Sequence, residues 1–112
     1  MRKDDMPVVI YKILRYLYEH MRAGKTPVAS ELLHDSPMLQ IPERYWESII
    51  DELYINDFIK GMRRGEKVPL VFASSEPVGV TWKGYELMEG EKMQRAREFL
   101  GNDFEAHIRV LV

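Results

Sequence analysis

Three histidines, His20, His34 and His107, are the side chains best suited to hold a metal or move a proton near neutral pH. They fall in three separate segments, and no two of them stand at the i, i+4 spacing that lets one helix face grip a metal. The serines sit in Ala-Ser-Glu, Asp-Ser-Pro, Glu-Ser-Ile and Ala-Ser-Ser-Glu-Pro, none of them the Gly-x-Ser-x-Gly turn that exposes a nucleophile. The glycines are scattered, so no phosphate cradle is written in the chain. Without cysteine, thiolate metal sites, disulfides and thiol nucleophiles are excluded together. The expectation is no metal, no cofactor and no enzymatic activity.

Charge is the chemistry that remains. Lys and Arg number 16 against 18 Asp and Glu, a net of −2, which argues against sequence-blind attraction to nucleic acid. The distribution is uneven, however. Over residues 43–57 five carboxylates (Glu43, Glu47, Asp51, Glu52, Asp57) face Arg44 alone, a net of −4. Over residues 58–69 Lys60, Arg63, Arg64 and Lys67 face only Glu66, a net of +3. A basic turn of this kind can lie along a phosphate backbone or enter a minor groove. The same charges also keep an exposed hairpin edge soluble. Lys60, Arg63, Arg64 and Lys67 are therefore the candidate nucleic-acid contacts, with a smaller share expected for Arg44.

The elements that position these residues follow from periodicity. Ile10, Ile13, Leu14, Leu17 and Met21 recur at helical spacing, with Pro7 in the first turn and Gly24 at the end. A brief second helix is expected after Thr26 and Pro27, contributing Leu32 and Leu33. A third opens at Pro42, buries Trp46, Ile49, Ile50 and Leu53, and stops at Asn56 and Asp57. Short β-rich pieces at residues 58–62, 68–72 and 78–80, punctuated by Gly65 and Pro77, read as an antiparallel hairpin. Thr81 caps a fourth helix, and Gly84 in its first turn implies close approach of the sheet or of the first helix. Gly90 breaks that helix, a further helix runs from about residue 91, and the alternation of Ile108, Val110 and Val112 suggests a short terminal strand.

Helix, short helix, helix, hairpin, helix is the order of a winged helix. The fold class expected is α+β: a three-helix core with a β-hairpin wing and an additional C-terminal helix. The chain reads as one winged-helix domain over residues 1–112, its core at about 7–90 and an extension at about 91–112. Ile13, Leu14, Leu17, Leu32, Trp46, Ile50, Leu53 and Leu87 are expected in one core.

The segments IPERYWESIIDELYINDFIKG (residues 41–61) and VTWKGYELMEGEKMQRA (residues 80–96) resemble the YjcQ family of small bacterial and phage proteins. The resemblance is sharpest at Pro42 with Trp46, at Phe58-Ile59-Lys60-Gly61 and at Thr81-x-x-Gly84. It implies a winged-helix-like fold.

Two functions compete. One is a small DNA-binding regulator that meets duplex DNA mainly through its wing; fold analogy puts it first. The other is a protein-interaction or dimerisation module, favoured by the acidic third helix, whose sign repels phosphate. Met93, Ala96, Phe99 and Leu100 form a stripe that serves either a homodimer through the C-terminal helix or a fold-back onto the chain's own core. No apolar run approaches the ~20 residues that span a bilayer, and the N-terminus lacks signal-peptide character. No membrane association and a cytoplasmic location are expected.

Overall fold

The stripe of Ile13, Leu14 and Leu17 becomes the floor of the fold. In the computed structural model, which describes residues 1–112, α1 spans Met6–Ala23 and closes at Gly24 in the left-handed conformation, φ 71°. Helix α2 (Glu43–Ile55) lays Trp46, Ile49, Ile50 and Leu53 into the same core. Asn56 and Asp57 end it, Asp57 at φ 60°, a conformation that Asp tolerates better than most residues.

The expected second helix is not one. Residues 25–41 form a long loop whose only helical piece is the 3₁₀ turn Ala29–Glu31. Side chains hold the loop's backbone instead. The Tyr16 hydroxyl accepts from Val28 N (3.0 Å) and donates to the Glu31 carboxylate (2.8 Å). Trp46 Nε1 donates to Leu32 O (2.8 Å) and Lys12 Nζ to Met38 O (3.0 Å). Because these tertiary partners satisfy the polar groups, Leu32, Met38 and Leu39 reach the core without regular structure. Burial raises the Tyr16 phenol above its ordinary range and lowers the Lys12 ammonium below its own.

The strand after α2 is interrupted. Strand β1 (Ile59–Lys60) and β2 (Met62–Arg64) flank Gly61, whose φ of 74° breaks the ladder. A side chain there would meet the Pro77 backbone, and Gly61 N donates to Glu76 Oε1 (3.0 Å). Strand β3 (Leu70–Phe72) pairs antiparallel with β2, Arg63 opposite Val71, while β4 (Gly79–Val80) pairs antiparallel with β1, Ile59 opposite Val80. The result is two small two-stranded sheets.

Helix α3 (Trp82–Glu89) starts hard against this turn. Thr81 Oγ1 accepts from Gly84 N (3.0 Å) and donates to Asp57 O (2.6 Å), while Thr81 N donates to Phe58 O (3.1 Å). A Cβ on Gly84 would lie far inside contact distance of the Phe58 carbonyl oxygen and 3.0 Å from its carbon. The close approach expected at Gly84 is thus against the end of the α2–β1 turn. Leu87, expected in the core, is only partly buried; Met88, one helical turn past Gly84, is the α3 side chain that fills it.

After Gly90 and the 3₁₀ turn Glu91–Met93, α4 (Gln94–Leu111) runs to the end of the chain with a kink at Gly101, φ 57° and ψ −152°. The expected terminal strand is helix. Phe104 and Ile108, at i, i+4, bury against the core, and that stripe outweighs the alternation of Ile108, Val110 and Val112. Met93 and Ala96 join the core and Leu100 packs partly against it, so most of the stripe that offered a dimer face is occupied within the chain, while Phe99 stays exposed. Arg97 donates to Met88 O (2.6 Å) and so caps the end of α3. The architecture is α+β, four helices with a small antiparallel hairpin region, compatible with a winged helix.

Arg15 fixes α4 to α1 by a two-bond fork to Glu105 (2.6 and 3.0 Å). Those bonds, more than the neighbouring charges, hold the Glu105 carboxyl below its usual range. A depressed folded pKa adds stability at pH above the unfolded value, about 4.3, and loses it as pH falls through the folded one. Glu105→Gln is therefore expected to lower Tm at pH 7 and to converge with wild type in strong acid. Melts followed by circular dichroism across that range check this; parallel Tm curves would show that the fork is not pH-linked.

Candidate interaction site on the acidic helix and hairpin

Arg64 is not free as a phosphate ligand would be, although a third of its side chain is exposed. It shares the inward face of β2 with Met62, and α2 packs beneath. Its guanidinium donates to Asp51 Oδ1 (2.8 Å), Asp51 Oδ2 (2.9 Å) and Glu47 Oε2 (2.9 Å). The Asp51 bonds come first, and they raise the Arg64 pKa further. The basic wing and the acidic helix, far apart in local character, are therefore joined by one residue. Even so, five carboxylates over residues 43–57 outnumber Arg44 and Arg64, leaving a net of −3.

The other wing cations separate. Arg63 projects from the opposite face of β2 and is exposed, as is Lys67 in the turn. Lys60 lies below the Gly61 break, half-buried opposite Gly79, and does not belong to the hairpin tip. None of the three has a carboxylate partner. Arg44 is exposed on the first turn of α2. The hairpin turn and the start of α2 enclose a cleft of about 330 Å³ lined by His34, Glu43, Trp46, Glu47, Arg64 and Lys67 among others.

Two of the histidines hold local structure. His20 is buried with its ring 4.1 Å from that of Tyr16, and its Nδ1 bonds Tyr16 O at 2.9 Å. His34 joins Ile41 O (3.2 Å) to the Glu43 carboxylate (3.3 Å), bridging the loop to α2. His107 sits on α4.

Two further surface features stand out. On α2, Arg44, Ser48, Asp51 and Ile55 recur at i, i+4, i+7 and i+11, beside Glu52, as a ridge open to solvent except at Asp51, on which Arg64 of β2 lies. Ile55 on this ridge is 78% exposed. An isoleucine on the polar side of an amphipathic helix was the available signal. The second is aromatic. Trp82 is 76% exposed and stacks on Tyr85 (5.7 Å between centroids), which meets Tyr18 (5.3 Å) beside an apolar groove between α1 and α3. The Asp57–Thr81 hydrogen bond ties the end of α2 to the start of α3, so Ile55 and Trp82 flank one junction.

Residues 11–100 match the YjcQ protein family. The chain belongs to the YjcQ family. The YjcQ match runs from α1 into α4 and takes in Arg44, Lys60, Arg63, Arg64, Lys67 and the α2 ridge. No curated protein and no solved structure matches the chain. No helix of this YjcQ-family chain is long and apolar enough to cross a membrane.

Proposed function

We propose that this chain is a winged-helix-like protein-interaction module without enzymatic activity, and that the outer face of α2 docks a partner protein. The observation that carries the reading is the Arg64 fork. The cation best placed to meet DNA beside α2 is already bonded to Asp51 and Glu47. The helix that a winged helix would insert into a major groove remains acidic after that pairing, and such a surface repels the phosphates on both sides of the groove. The exposed Ile55 and Trp82 add apolar contact area of the kind that anchors protein interfaces.

The second reading, DNA binding through the wing, is favoured by the unpaired Arg63, Lys67 and Lys60. One titration separates the two. With labelled duplex DNA at about 50 mM salt, where phosphate contacts are strong, the wild-type chain is expected to show no affinity. If it binds, and if Lys60→Ala, Arg63→Ala and Lys67→Ala each flatten the log K against log salt slope by about 0.9, the wing reading replaces the docking reading. In cells producing the protein, a photo-crosslinking residue at Ser48 should give a discrete protein adduct that Ile55→Ala diminishes. The same residue at Glu98 on α4 should give none; equal adducts at both positions would reject α2 as the docking face.

A further inference from the structure

We infer that the segment docked on α2 is basic and carries an apolar anchor, its cations lying against Glu52 and Asp57 and its anchor on Ile55. This rests on the docking reading and specifies its partner. Three observations on α2 agree about sign. Arg44, the one basic residue of α2, lies in its first turn, whereas the exposed Glu52 and, just past the helix, Asp57 lie at its C-terminal end. No basic residue occupies its last turn, so the negative end of the helix dipole is uncompensated there. Glu52 is exposed, and its only side-chain partner is the neutral Asn56 amide (3.0 Å).

The cations of neighbouring elements leave Glu52 and Asp57 without a salt bridge. Arg64 is committed to Asp51 and Glu47, and Lys83 of α3 lies over the Phe58 ring at 5.2 Å. A negatively charged segment seated on Ile55 would thus meet repulsion from Glu52 and Asp57. A purely polar one would leave Ile55 and the half-exposed Tyr54 in water. A segment with Lys or Arg flanking a Leu- or Phe-sized side chain matches both the charge and the apolar end, with the anchor supplying affinity and the cations register and on-rate.

The test uses the full chain and two fluorescein-labelled amphipathic peptides of roughly 14 residues, about four helical turns. One pairs Leu with Lys, the other pairs Leu at the same positions with Glu. Anisotropy at about 50 mM salt, where charge attraction is little screened, should show binding of the Lys peptide only, weakening as salt rises. Glu52→Lys is expected to weaken it about tenfold through like-charge contact. Ile55→Ala should weaken it about fivefold at unchanged charge. Glu98→Lys and Phe99→Ala, on the remote α4, should change it by less than about twofold. Equal binding of the Glu peptide overturns the inference, as does a Glu98→Lys effect matching that of Glu52→Lys. If the Lys peptide fails to bind while the Ser48 adduct still forms, the basic partner is rejected and the docking reading stands.

Discussion

Gly84→Ala is expected to destabilise the fold by about 3 kcal/mol, at the upper end of what an overpacked methyl costs. Helix propensity alone predicts the opposite sign, a gain of about 1 kcal/mol from replacing Gly inside a helix. The position decides between them. The new methyl would sit against the Phe58 carbonyl, which is backbone and cannot rotate away. Relief requires α3 to retreat, which strains the Thr81 bonds to Asp57 O and Phe58 O. Each such bond contributes about 1 kcal/mol net. At roughly 4–8 °C per kcal/mol for a domain near this size, Tm should fall by roughly 12–24 °C. A thermal melt reads this directly, and an unchanged or higher Tm would show that α3 does not abut the turn.

Trp46→Ala is expected to cost about 3–5 kcal/mol. Trp46 is 2% exposed at the N-terminal end of α2's inner face, and its indole N–H is bonded to Leu32 O. Its loss therefore opens a cavity and also unties the loop that stands where a second helix was expected. The two tryptophans make an internal control, because Trp82 is exposed on α3. Trp82→Ala should change stability by no more than about 0.5 kcal/mol. Urea unfolding of both variants gives the comparison; a Trp46→Ala cost below about 1 kcal/mol would remove Trp46 from the core.

Much of the architecture was legible before any coordinates. The stripe Ile13, Leu14, Leu17, the stripe Trp46, Ile49, Ile50, Leu53 and the cap Thr81 are local signals, each carried by residues within one element, and local periodicity reports the face an element will bury. Gly84 and the Thr81-x-x-Gly84 pattern pointed to a close crossing for the same reason. The second helix failed as a reading because Thr26, Pro27, Leu32 and Leu33 resemble a helix start, whereas Tyr16, Trp46 and Lys12 supply the loop's hydrogen bonds from elsewhere in the chain. The terminal strand failed because alternation over a few residues cannot compete with the burial of Phe104 and Ile108 on α4.

The candidate site divides along the same line. Composition alone determined that residues 43–57 are acidic, that residues 58–69 are basic, and that no cysteine chemistry is open to the chain. Only the tertiary structure decided what those charges do. Arg64 lies 13 residues from Asp51 and 17 from Glu47, too far for any helical or strand spacing to relate them, and β2 must fold back over α2 before they meet. Charge counts add along the chain, but ion pairing depends on distances across it. That is why a run with a net of +3 in sequence presents only Arg63 and Lys67 as exposed cations at the hairpin.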